Sequence, residues 1–189
     1  AYTAVLLARR GLRVATIDFD FEAPGLHTIF NVENKEKGSL AILEDGNYIG
    51  RSCDIWSSIH TLTVENSGKV MVMPAGKISK EYLRRLDDLR PLLWNEYEQQ
   101  PITRLLEQFT KDDFDIILID CRTGFNGITA SMLYHYSDLV VSVFPLSDQI
   151  WEGVELLSEA HQKAQSLRQS SPEWFVVPSM VPQGKEGLS

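Results

Sequence analysis

Cysteine is scarce in this chain: Cys53 and Cys121 are the only two among 189 residues. They have neither metal-ligand spacing nor the density of a secreted disulfide scaffold, so the expectation is of two reduced thiols in a cytoplasmic protein. The histidines, His27, His60, His135 and His161, share no spacing that points to a metal. No apolar run approaches the ~20 residues of a membrane-spanning helix, and no signal peptide opens the chain. Basic residues are outnumbered, 18 Lys and Arg against 26 Asp and Glu. The resulting formal charge of −8 and pI near 5.0 argue against a surface that coats nucleic acid generally, and leave room only for a local patch. Apolar residues are plentiful at 43%. That supply and the chain length suit one globular domain over residues 1–189 better than two.

The chain is organised around Asp115 to Gly124, DIILIDCRTG. Ile116, Ile117, Leu118 and Ile119 are aliphatic without alternation, the pattern of a strand covered on both faces. Asp120 follows at the carboxyl end, where ligands bind in open parallel sheets, and an acid there is placed to meet a Mg²⁺-bound phosphate. Gly124 can bring a bare backbone amide close to a phosphate oxygen. The plainer alternative is a turn that Asp120 caps and for which Gly124 supplies a positive φ.

From the start, AYTAVLLARR places Ala1, Ala4, Val5 and Ala8 on one helical face, with Gly11 as a glycine stop. The strand Leu12 to Asp18 follows and ends in the acids Asp18 and Asp20. Helix, glycine, strand and acid make half of a βαβ unit, so a strand and a glycine-rich loop are expected upstream. In a Rossmann domain the acid would hold a ribose hydroxyl; in a P-loop protein it would lie near a γ-phosphate. The start in mid-helix leads to the expectation of a segment of a longer chain.

The continuation decides between these. IDFDFEAPGL, after a helix and the GLRV turn and strand, resembles switch I of the MinD/ParA-type ATPases, the deviant Walker A (SIMIBI) branch of the P-loop NTPases. ILIDCRTG resembles their Walker B strand and D-x-x-x-G switch II, VMVMPAGK (Val70 to Lys77) their third strand and small-residue turn, and SDLVVSVFPLSDQIWEGVELL their next strand and helix. EAPGLH and the RTG triplet are closer to KGGVGR-type members than to MinD. The match runs in order from about Ala1 to Pro178. It departs from the family in having no lysine-bearing phosphate loop within these residues.

The resemblance implies an α/β doubly wound, mostly parallel sheet with helices on both faces, and ATP with Mg²⁺ as cofactors. It implies that Asp120 holds Mg²⁺ through a water, that Asp20 positions the attacking water, and that Asp18 supports the metal site from behind. Gly124 would donate its amide to the γ-phosphate, and Pro178, Ser179 and Met180 would border the adenine. Arg122 would reach phosphate, a switch I carboxylate such as Glu22, or a facing subunit. The family further implies an ATP-dependent homodimer and a protein partner that the sequence does not identify. Cys53 and Cys121 fall outside the positions an iron–sulfur cluster of the nitrogenase-reductase type would need.

The remaining elements are read locally. Leu40 to Glu44 is expected as a short helix, Asp45-Gly46 as a turn, and Trp56 and Ile59 as anchors for the stretch from Asn31 to Gly68. Ser79 caps a helix to about Leu89, broken at Pro91, whose other face carries Lys80, Arg84 and Arg85. DNA binding by that face is weakly supported, because Glu81, Asp87 and Asp88 dilute it. Further helices are expected at Ile102 to Thr110, at Gly127 to Tyr136, and after Ser147, with Ile150, Val154, Leu157, Ala160 and Ala164 as the last one's core stripe. Asp138 to Phe144 reads as a buried strand, and Phe175 to Val177 begins a last strand, after which a loop is expected. Two other functions stay open: a Rossmann oxidoreductase, which accounts for the first 20 residues but not for EAPGL or IDCRTG, and a non-catalytic P-loop-fold interaction module.

Overall fold

Every residue of the strand β1 (Val14–Phe19) is buried, and in the computed structural model the first half of the chain is assembled around it. The structure describes residues 1–46, 55–65, 68–93, 100–109, 113–122, 129–130, 132–145, 148–167 and 172–179. These fall into two compact units, Ala1–Arg122 and Thr123–Ser189.

In the first unit β1 lies between β3 (Lys69–Met73) and β4 (Ile116–Cys121) and is parallel to both, while β2 (His60–Thr63) pairs antiparallel with the outer side of β3. The helix α1 (Tyr2–Arg9) packs on this sheet through Ala4 and Ala8, which are fully buried against Val14, Val70 and Val72. Alanine at both positions lets the helix backbone come close to the strands. Gly68 shows how close: a Cβ there would lie 2.3 Å from the Ala8 carbonyl oxygen. Gly11, at φ 88°, ends the helical segment as expected and turns the chain into β1. Arg13 then locks the starts of β1 and β4 together, donating from its backbone N–H and its guanidinium to the Asp115 carboxylate at 2.7–3.1 Å.

Among the described residues the aliphatic run of β4 is half-buried rather than covered on both faces, whereas β1 is buried throughout, despite its Thr16 and Asp18. The edge strand β2 carries little sequence signal, since HTLT is short and mostly polar. A short helix α2 (Leu26–Ile29) follows β1. The helix α3 (Ser39–Gly46) takes in the Asp45-Gly46 pair expected as a turn. Ile55, at 1% exposure, is the anchor of the following stretch, and Trp56 is exposed. The helix α4 (Lys80–Leu93) continues through Pro91, which falls within its last turn, where a missing N–H removes a single hydrogen bond. The helix α5 (Gln100–Phe109) buries Ile102, Leu105 and Phe109 as its spacing predicts.

The second unit has a π-helical turn at Met132–Tyr136 and a parallel pair, β5 (Leu139–Pro145) and β6 (Glu173–Ser179), joined by α6 (Asp148–Leu167). β5 is not fully buried. Leu139, Val141 and Val143 share an exposed face with Phe175 and Val177, while on the opposite face Trp174 meets His161 of α6. The helix covers only one side of the pair. Ser147 lies outside the described residues. Among the described residues, no helix is long and apolar enough to cross a membrane.

Candidate functional site

The β1–β4 ladder brings two acids of the sequence reading together: Asp18 and Asp120 are direct register partners. Their surroundings differ. Asp18 has no solvent exposure, and its carboxylate accepts the backbone amides of Asp20, Gly25 and Leu26, each at 3.1 Å. Burial raises its pKa to about 6, a push that the nearby Asp120 charge increases and the amide hydrogen bonds oppose. Asp120 is solvent-exposed. Desolvation by the surrounding protein and the Asp20 charge raise its pKa. Cys121, next along β4, is pushed up to about 12 by burial and by Asp120, Asp20 and Asp18, so the thiol stays protonated and unreactive at neutral pH.

The loop leaving β1 is held at several points. Asp20 accepts the Ala23 amide at 3.2 Å. Phe21 is buried, its ring 5.4 Å from that of Phe19, and its carbonyl accepts a 2.8 Å hydrogen bond from the buried Tyr82 hydroxyl of α4. Glu22 pairs with Arg122, which follows β4 directly. Ser39, at the start of α3, donates its hydroxyl to the Asp18 carbonyl oxygen at 2.5 Å.

The turn after β3 supports this arrangement through backbone proximity. Ser39 and Leu40 donate amides to the carbonyls of Pro74 and Ala75, and Lys77 donates to that of Lys35. A Cβ on Gly38 would lie 2.3 Å from the Gly76 nitrogen and 2.4 Å from the Pro74 oxygen, and Gly76 itself has φ 120°. Both glycines are required by contact and conformation, which explains the small residues of PAGK.

Among the described residues no three His, Cys, Asp or Glu side chains converge as a metal cage. Magnesium does not need one, because it commonly takes one or two carboxylates and completes its shell with phosphate oxygens and water. The exposed Asp120 carboxylate, beside acids whose mutual repulsion a cation would relieve, fits that mode; Asp18, with its oxygens already accepting amides, does not.

No family model matches the chain. Over 167 residues, 88% of this chain, it is 27% identical to an uncharacterized ATP-binding protein of Methanocaldococcus jannaschii; the match takes in 55% of that protein, so this chain spans about half its length. A plasmid partition protein of Borrelia burgdorferi B31, solved bound to AMPPNP, aligns at TM-score 0.65 with 17% identity, over 97% of this chain and 72% of its own. Cobyrinic acid a,c-diamide synthase from Mycobacterium smegmatis, solved with ADP and magnesium, aligns at 0.65 with 16% identity, over 93% of this chain and 66% of its own. The chain has the ParA/MinD-type P-loop fold.

Within this ParA/MinD-type fold, Asp18, Asp20, Asp120 and Arg122 all belong to the first unit, at the carboxyl ends of β1 and β4 and in the segments that follow. Gly124 and Met180 lie outside the described residues. Pro178 and Ser179 are not in a loop: they are the last two residues of β6 in the second unit, where their register partners are Phe144 and Pro145. Seven ladder positions carry that strand past the expected Val177 end, since proline is tolerated at a strand edge or end. The basic face of α4 is largely neutralised, with Arg84 on Glu81, Asp88 and Glu44, and Arg85 on Glu81 and Glu44. Neither Ser39 nor Tyr82 belongs to a motif of the resemblance. Tyr82 carried a usable signal, since a tyrosine on an apolar helical stripe must find a partner for its hydroxyl.

Proposed function

We propose that this chain, read as one P-loop NTPase-like domain over residues 1–189, belongs to a MinD/ParA-type switch ATPase that binds and hydrolyses ATP with Mg²⁺, its nucleotide state controlling homodimerisation and partner binding. One observation carries the reading: the exposed Asp120 stands in register with the amide-bound Asp18 at the carboxyl end of parallel strands, with Asp20 on the loop between β1 and α2.

In this reading Asp120 holds the metal through a water, and bound Mg²⁺ supplies charge neutralisation for the transferred phosphoryl group. Asp20 accepts a hydrogen bond from the attacking water and orients it. Asp18 acts through the backbone, fixing the loop that carries Asp20.

Asp20→Ala in the full-length protein tests the chemistry. ATP affinity is expected to stay within a few-fold while kcat falls roughly 10²-fold or more, the scale of a positioned general base. Parallel losses of affinity and rate would make Asp20 a binding residue, and binding of NAD in place of ATP would overturn the whole reading.

A further inference from the structure

We infer that Tyr82 is a positioning residue for Asp20, acting through the Phe21 carbonyl. The inference rests on the proposed ATPase reading. Phe21 directly follows Asp20, whose side chain that reading uses, and its main chain cannot shift without moving Asp20. Its carbonyl accepts the Tyr82 hydroxyl at 2.8 Å in a buried setting, with Tyr82 only 4% and Phe21 only 2% exposed. A buried carbonyl has no water to replace a lost donor, so this bond defines the loop conformation more strongly than an exposed contact would.

Tyr82 is itself fixed from two sides. Its amide is capped by the Ser79 hydroxyl at 3.1 Å, which sets the first turn of α4. Its ring lies against Gly76, where an added Cβ would meet Tyr82 Cε2 at 3.5 Å. The turn after β3 and the start of α4 thereby hold one hydroxyl in place, and that hydroxyl holds the acid-bearing loop. Asp18 and Asp20 both raise the Tyr82 pKa, behind burial as the main cause, in keeping with a phenol close to the two acids.

Tyr82→Phe in the full-length protein removes the hydroxyl and keeps the ring. The expected result is a kcat lowered about 10-fold or more, as small displacements of a catalytic group produce, with ATP affinity within two-fold of the parent and unfolding still cooperative. Amide exchange across residues 20–26 should rise in the nucleotide-free variant while that of α5 stays unchanged. In the Asp20→Ala background the same substitution should cost nothing further, because the group it positions is gone. Normal turnover in Tyr82→Phe, or a full additional loss in the double variant, would overturn the inference while leaving the ATPase reading intact. No loss of turnover in Asp20→Ala alone would overturn both.

Discussion

Asp120 and Asp18 are register partners across the β1–β4 ladder, one open to solvent and the other completely enclosed. The difference assigns them separate work. An exposed carboxylate at the carboxyl end of a parallel strand can meet a ligand, whereas a carboxylate that already accepts three amides can only shape the backbone around it. Enclosure costs the Asp18 charge its solvation, as its raised pKa records. The fold retains the acid there because the loop from Asp20 to Leu26 depends on its oxygens. The two neighbouring acids therefore differ in what they can do: Asp120 is open to a ligand, and Asp18 shapes the loop after β1.

Arg122 is expected to couple nucleotide state to assembly. Its guanidinium rests on Glu22 of the loop that follows β1. Both side chains are well exposed, so the pair contributes only about 0–1 kcal/mol, and a γ-phosphate or a facing subunit can compete for the arginine. Arg122→Ala should leave the ADP-bound form as stable as the parent and weaken self-association in the presence of a non-hydrolysable ATP analogue. Sedimentation analysis distinguishes the outcomes: a variant that dimerises as tightly as the parent, or a parent that stays monomeric with the analogue, would show that Arg122 has no such role.

Much of this was legible in the sequence. The acids ending β1 and β4, the glycine stop at Gly11 and the buried stripe of α5 follow from local patterns that the tertiary structure reinforces. The misreadings are of two kinds. Coverage of a strand depends on what packs against its faces, so DIILID and DLVVSVF read alike as buried strands although, among the described residues, both are only partly buried. Partners distant in sequence were also hidden: Tyr82 with Phe21, Ser39 with Asp18 and Gly38 with Pro74 depend on backbone proximity that no local pattern encodes.

Acid stability should report on the link between the starts of β1 and β4. The Arg13 guanidinium and backbone N–H lower the Asp115 pKa to about 2. A carboxyl lowered on folding contributes stability above its unfolded value, near 3.9, and that contribution is lost as pH falls toward the folded one. The raised Asp18 acts with the opposite sign, contributing below its unfolded value and losing the contribution as pH rises toward about 6. Comparing the parent with Asp115→Asn isolates the first effect. Denaturant midpoints should differ most at pH 5 and above and converge as the pH approaches 2. A difference that stays constant over that range would show that the Asp115 charge has no part in it.

The central claim is that Asp120 is the metal-side acid of a nucleotide site. Titration calorimetry of the full-length protein with ATP, with and without Mg²⁺, for the parent and Asp120→Asn, tests it directly. Removing one exposed charge leaves no cavity and should leave the unfolding transition within about 0.5 kcal/mol of the parent. The parent should bind ATP more tightly with Mg²⁺ than without, and Asp120→Asn should lose most of that enhancement while keeping its metal-free affinity. An equal magnesium enhancement in the two proteins would contradict the assignment.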